Sequence, residues 1–478
     1  MHTQSIVFLT LFSIASTCAF AQSAKLQDES YIQSRDDTAA AQYKPISLSQ
    51  AIEQGYRENF DQQERNYQKR IIELDWKDAK EEFWMPTLQV SLETSPQRLA
   101  RLKNGSLPGE ASTKSPAGTL GLEIGEYTIF NWGKDYLAYQ NQKTSFERGN
   151  QRLEEQRREL RHDIIIDYLY LLTVQDLVDI TRDQLRHASF IYRLNRERIS
   201  AKKVSSQDYF QARQEYLKAQ SDYQEVRELV VEANKKLAQR ISDQSGTRYV
   251  VNQSMVYGKL KLTASEADRI VSEKNPDVLS AKALAEIAQR EEEILRKENL
   301  PLPKISVNLG AYNYRFGSDR NSFRYETTPG SSDIDVVATV NATWSINGEG
   351  GFLNGRKTKR GALLRGLARK RQEQAAFDGQ TTARELFEKV KIYEAQVEIL
   401  EARSLNAVKQ YDVVLENYMN KKARFSDFQH AMEEKREARS RLAEINFEHA
   451  KTKVLLARTI GIEDFPGERF EKLVTARK

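Results

Sequence analysis

Cysteine is almost missing from these 478 residues: the chain holds one, Cys18. A chain with a single thiol forms no internal disulfide, and once a leader containing Cys18 is removed no thiolate remains for zinc binding or nucleophilic attack. Histidine is scarce as well. His162, His187, His430 and His449 are scattered over helix-forming sequence without metal-ligand spacing, so neither a metal nor a catalytic centre is expected. There is no glycine-rich phosphate loop, because the "GEGG" after one strand-like stretch lacks a following Lys-Ser/Thr. An excess of one charge is also absent. The 73 basic and 68 acidic residues are interspersed and leave a net charge of +5, which offers no basic face for nucleic acid. Beyond the N-terminus no apolar run approaches the ~18 residues of a membrane-spanning helix, so any membrane crossing must be built from β-strands. Hydrophobic residues make up 39% of the chain and charged residues 29%, a lean supply of core.

The first residues do contain an apolar stretch, from Ile6 through Phe20, closing on Ala19-Phe20-Ala21 before Gln22. That pattern reads as a secretory signal over residues 1–21. Cys18 lacks the leucine expected three residues before an acylated cysteine.

Proline is confined to ten positions, and two long windows, Ala117 to Asn275 and Gly330 to Phe465, contain none. Within them Gly133 to Ala201 and about Asn354 to Asn420 are rich in strong helix formers. At 1.5 Å per residue each helix would be on the order of 100 Å long, too long for a compact globule. Each is followed by a break and a return helix, about Gln207 to Arg240 and Ser426 to Arg458, so two helical hairpins are expected. An amphipathic helix precedes each system and is closed by Pro86 or Pro301. Between the short and long helices the period becomes two. Strands are expected at about 87–95, 119–130, 304–315 and 334–346, joined pairwise by Pro/Gly/Ser-rich loops.

The chain is a duplication. "KKVSSQDYFQA" at Lys202 returns as "KKARFSDFQHA" at Lys421, and ten of the 39 aligned pairs from Lys203 and Lys422 onward are identical, where composition alone gives roughly 2 to 4. The expected organisation is an N-terminal segment 22–45, a first repeat 46–241, a linker 242–259, a second repeat 260–461 and a tail 462–478. Four strands cannot close a membrane barrel alone, since known barrels begin at eight, so several chains must pool theirs or the strands form a soluble sheet.

The repeated order of helix, strand pair, long helix and short helix resembles the TolC-type outer-membrane efflux proteins. The resemblance is carried by "ISLSQAIEQGYRENFD", "WMPTLQVSL", the strand-to-helix junctions "NWGK" and "NGEGG", and the return-helix ends "KKLAQRI" and "LLARTI". It implies a mixed α and β membrane protein: a homotrimer whose long hairpins form a periplasmic α-barrel and whose strands make a 12-stranded outer-membrane β-barrel in lipid. It further implies a passive exit duct for tripartite efflux or type I secretion, without cofactor, fed by an inner-membrane RND or ABC transporter through a periplasmic adaptor. A coiled-coil scaffold or tether in the periplasm is the competing reading, which explains the helices but not the strands.

The same resemblance places the hairpin turns at the periplasmic end, where the tunnel narrows. Asp208 and Asp427 fall on constriction-associated aspartates, Arg424 is a candidate partner for a neighbouring acid, and His430 stands where a second gate aspartate can follow. Lys202, Lys203, Val204, Lys421, Lys422 and Ala423 are the expected adaptor-docking tips, with lysine where relatives usually carry glycine. From the residues alone, Ser205-x-x-Asp208 and Ser426-x-x-Gln429 also read as capping boxes.

Overall fold

The computed structural model describes residues 43–94, 118–201, 204–244, 246–316, 337–344, 346, 352 and 354–477. The expected signal and both strand-joining loops therefore lie outside the described residues.

In chain order the elements are β1 (Tyr43–Pro45), α1 (Leu48–Glu58), α2 (Phe60–Trp84), β2 (Leu88–Thr94), β3 (Gly118–Phe130), α3 (Lys134–Ser200) and α4 (Ser206–Arg240). There follow β4 (Arg248–Val250), β5 (Gln253–Met255), α5 (Ala264–Lys274), α6 (Pro276–Glu298), β6 (Lys304–Phe316), β7 (Val337–Thr343), α7 (Gly355–Met419) and α8 (Phe425–Ile460). A short 3-10 turn, Phe470–Leu473, leads into β8 (Val474–Ala476). The two long helices run 67 and 65 residues, bounded within a residue of the proline-free expectation. At 1.5 Å per residue both are about 100 Å long.

The duplication is visible in the caps. Asn59 opens α2 by accepting from Gln62 N, and its amide donates to Arg240 O at 2.8 Å. Asn275 opens α6 by accepting from Asp277 N and Val278 N, and donates to Thr459 O at 2.7 Å. In each repeat one asparagine thus starts the strand-bound helix and ties it to the end of the return helix. Capping boxes at Ser47–Gln50 and Thr263–Glu266 start α1 and α5 in the same paired fashion.

Side by side, the helices form one continuous row. Toward the strands the neighbours are α2, α3, α6 and α7; toward the hairpin turns they are α4, α3, α8 and α7. The four strands follow the same order, β2-β3-β6-β7, all antiparallel, with β2 and β7 as edges. Repeat one and repeat two are therefore laid edge to edge rather than stacked.

Two apolar cores hold the row. The larger surrounds the middle of α3, where Ile164, Ile165, Leu169 and Leu172 are buried against α1, α4, α8 and the chain termini of the repeats. Burying each such side chain contributes roughly 1.5–3 kcal/mol. The smaller lies near the hairpin turns and is built largely from tyrosine, phenylalanine and alanine. The linker and tail are themselves structured. β1 pairs with β4 in parallel, and β5 pairs with β8, so residues after 242 and after 462 seal the larger core.

Arg161, almost fully buried, anchors the tail by reaching Asp464 at 3.1 Å, Glu471 at 3.0 Å and Glu463 O at 3.0 Å. Lys453 is likewise buried between Glu468 Oε2 at 2.8 Å and Gly258 O at 2.9 Å. Buried cations persist when ion partners and carbonyls satisfy their donors, and both do so here.

Candidate functional site

The hairpin turns sit at the end of the row away from the sheet. The second is the better defined. α7 ends at Met419 with Asn420 as its cap; Lys421 N–H donates to Tyr418 O at 3.1 Å and Lys422 N–H to Asn417 O at 2.8 Å. This pair of bonds is a Schellman closure, in which the residue after the cap takes the left-handed conformation. That residue is Lys421, with φ of +60°. A lysine there carries a cost glycine would avoid, about 1–2 kcal/mol. Lys421 thus occupies a backbone site that favours glycine.

The start of α8 corrects one expectation. Ser426 was expected to cap it with Gln429, but the cap lies two residues earlier, at Arg424, and Phe425 opens the helix, buried beneath the turn. Arg424 is the capping position, and Asp427, three residues in, accepts the Arg424 backbone N–H at 3.2 Å. Gln429 instead donates to Glu215 Oε2 of α4 at 2.9 Å. In the first hairpin Ser205 does cap α4, its hydroxyl accepting from Asp208 N at 3.0 Å. Asp208 and Asp427 thus hold equivalent positions in the first turns of equivalent helices, where the helix dipole favours an acid.

Asp208 is half-buried and Asp427 exposed, as are Arg424, His430, Lys421 and Lys422; Val204 and Ala423 are half-buried. Lys202 and Lys203 lie outside the described residues. Among the described residues the Arg424 guanidinium makes no ion pair within the chain, so an acid that holds it must come from elsewhere. The Tyr418 pKa is raised, first by burial, and the Asp208 charge pushes the same way.

Beneath the turns the two hairpins are locked by contacts that no local pattern in the sequence announces. Tyr418 stacks on Phe428 at 5.3 Å between ring centres and donates its hydroxyl to the buried Asn195 Oδ1 at 2.9 Å. Glu215 is buried on α4, and burial raises its pKa. Lys218–Glu433 at 3.3 Å and Asp183–Lys435 at 3.2 Å continue the ties up the hairpins. The one legible signal was the shared face Asp208, Ala212, Glu215, Ala219, of which the last three are indeed buried.

At the opposite end Leu88, Val90, Ile129 and Val340 of the sheet, with Trp344 and Ile346 just beyond β7, are all more than half exposed. No described helix is long and apolar enough to cross a membrane. Among the described residues no cluster of three or more His, Cys, Asp or Glu could hold a metal ion. His162 and His449 are buried, each with its pKa pulled down to about 4 chiefly by burial.

Residues 78–241 match the family model described as outer membrane efflux protein. No curated protein is matched by the sequence. Among solved structures, the chain is similar to the CmeC outer membrane channel of Campylobacter jejuni, with TM-score 0.72 and 16% identity over 89% of this chain and 88% of that one. It is also similar to the outer membrane protein VceC of Vibrio cholerae, with TM-score 0.69 and 13% identity over 87% and 96%. The open state of the MtrE outer membrane channel of Neisseria gonorrhoeae gives TM-score 0.69 and 14% identity over 87% and 89%. At such identities the likeness establishes a shared fold over nearly the whole chain.

Proposed function

We propose that this chain, whose residues 78–241 match the outer membrane efflux protein model, is the outer-membrane duct of a tripartite export system, assembled as a homotrimer. One observation carries this: a four-stranded sheet with exposed apolar side chains and two free edges runs directly into helices about 100 Å long. Lipid accepts strands only when no edge is left open, so the sheet must be completed by further copies. Three copies supply twelve strands, and the helical row continues the same wall across the periplasm. A soluble scaffold has no use for an apolar sheet face. The test is the isolation of heat-modifiable trimers from outer-membrane fractions that conduct ions in a planar bilayer; a soluble periplasmic rod would overturn the reading.

In the trimer the hairpin turns form the narrow end of the tube. Asp208 and Asp427 then recur as threefold rings, which favour cations over anions in a poorly solvated neck. The exposed Lys421 and Lys422 and the half-buried Ala423, with Lys202, Lys203 and Val204 of the first hairpin, offer a basic docking tip. They suit a periplasmic adaptor with an acidic or polar tip, which links the duct to an inner-membrane RND or ABC transporter. Arg424 is available to an acid of a neighbouring copy or of the adaptor. Crosslinking from Lys421 in native membranes should capture the adaptor, and failure to capture one would remove the docking role.

A further inference from the structure

We propose that the seam between the two hairpins binds one small monovalent anion, a halide such as chloride, between α3 of the first repeat and α7 and α8 of the second. The inference stands independently of the duct reading, since it concerns what joins the hairpins within one chain.

A cavity of about 10 Å³ lies on this seam. That is room for one sphere of about water size, and too little for sulfate or phosphate. Two neighbouring helices line it with the same spacing. Ile180, Asp183, Gln184 and His187 come from α3, and Met432, Lys435, Arg436 and Arg439 from α8. Each set falls at i, i+3, i+4 and i+7, which places it on one helix face. Tyr411 of α7 completes the lining. Measured along α3 and α8, the cavity sits roughly 20 Å from the hairpin turns.

The polar atoms at this cavity are donors in excess. Gln184 and Tyr411 are almost fully buried, yet both side-chain polar atoms of Gln184 and the Tyr411 hydroxyl have no hydrogen-bond partner among the described residues. Arg436 Nε shares that condition, because the terminal nitrogens of its guanidinium reach Glu433 and Asp222 and leave the Nε–H over. Three donors thus compete for one unpartnered acceptor, Gln184 Oε1. A water molecule accepts two hydrogen bonds and leaves one donor unmet, whereas a halide accepts all three. Buried donors are rarely left unmet, so the count favours the anion.

Charge points the same way. Three of the lining residues are cations, and the one acid, Asp183, is already shared among Lys435 at 3.2 Å, Arg439 at 3.5 Å and His187 at 3.3 Å. His187 adds no charge at neutral pH, since burial leads in lowering its pKa. Lys435 also lies over the Tyr411 ring, 4.2 Å from its centre, which holds its charge at the cavity wall. Hydrogen bonds ionised on both sides are the strong ones, and a halide beside these cations forms them where a neutral water does not.

The duplication isolates the site. At the positions aligned with Lys435, Arg436 and Arg439 the first repeat carries Tyr216, Leu217 and Gln220. The three cations are therefore no part of the hairpin architecture the repeats share. They belong to the seam where unlike repeats meet, and one anion there ties three helices together.

The test uses the full chain in detergent at constant ionic strength, with gluconate exchanged stepwise for chloride or bromide. The thermal unfolding midpoint of the wild type should rise with halide. Gln184→Glu puts a carboxylate beside the anion's place and should abolish the rise. Tyr411→Phe removes one donor and should need roughly tenfold more halide for the same rise. Crystals grown in bromide should show an anomalous peak between Gln184, Tyr411 and Arg436. Absence of that peak, an equal rise in all three proteins, or a wild-type midpoint indifferent to halide overturns the proposal, the last leaving a water or an adventitious ion only. The duct reading is tested separately, by trimers and conductance, and none of these results touches it.

Discussion

Acidification should loosen the middle of the molecule through His162. Its ring is buried on α3, with Nε2 3.0 Å from Glu463 O and in edge contact with Phe470 of the tail. Donation to that carbonyl places the neutral ring's proton on Nε2 and leaves Nδ1 as a buried acceptor without a partner. A second proton would sit on Nδ1, desolvated, with the Arg161 and Arg458 charges nearby. Burial therefore leads in holding the pKa to about 4, against 6.5 for a free histidine; the Glu463 carbonyl opposes it and Arg161 reinforces it. The unfolded chain thus binds the proton first. The contribution is intact above pH 6.5 and is lost as pH falls toward 4, about 3 kcal/mol in all and about 2 kcal/mol between pH 7 and pH 5. The assay is denaturant unfolding of the detergent-solubilised protein at pH 7 and pH 5, for wild type, His162→Phe and a double variant that adds His449→Phe. His449, depressed to about 4 by burial first, then by Lys453, adds a second contribution of the same sign. Each replacement should flatten the pH dependence by about 2 kcal/mol even where stability at pH 7 falls. A slope between pH 7 and pH 5 as steep in the double variant as in wild type would refute the reasoning.

Gly461→Ala should prevent folding of the second repeat, because the residue has φ of +79° and a Cβ there would lie 2.0 Å from Lys274 O; loss of the protein from outer-membrane fractions is the readout. Lys421→Gly should raise the thermal unfolding midpoint by relieving about 1 kcal/mol of left-handed strain, and a lower midpoint would contradict the strain at that turn. Tyr418→Phe leaves Asn195 buried without its hydroxyl partner and should cost about 1–3 kcal/mol in denaturant unfolding, with no cost counting against the hairpin lock.

The long helices were legible because length, absence of proline and terminal caps all agree, and their ends moved by no more than a residue. The strands were legible where alternation was sustained, as at Lys304–Phe316. Three-residue strands such as Arg248–Val250 were not, because nothing periodic fits in three residues. Their placement comes from distant groups: Tyr249 N–H finds Asn234 Oδ1 at 2.7 Å and its hydroxyl finds Asp243 at 2.9 Å. At the candidate site the aspartates were legible from the repeat, while the Glu215–Gln429 tie spans 214 residues and left no local mark. The misplaced cap at Ser426 has a definite cause. A serine three residues before a glutamine is a good local signal, but burying Phe425 against Tyr418 outweighs it and starts the helix earlier.

That correction separates two residues the sequence treats alike. A capping box consists of two reciprocal bonds, and the two repeats keep one each: a side chain at Ser205 accepting from Asp208 N, and the Asp427 side chain accepting from Arg424 N. The Asp427 carboxylate is engaged in starting its helix. The Asp208 carboxylate makes no hydrogen bond or ion pair among the described residues, and its charge helps to raise the Tyr418 pKa of the other hairpin. If both acids ring a narrow neck, Asp208 is the one whose charge is unspent, so Asp208→Asn should shift cation preference in a planar bilayer more than Asp427→Asn does. Asp427→Ala should cost about 1 kcal/mol of stability through the lost bond to the helix start, a cost Asp208→Ala avoids because Ser205 still caps its helix. Equal selectivity shifts from the two asparagine variants, with equal stability losses from the two alanine variants, would mean that the divided box has no bearing on function.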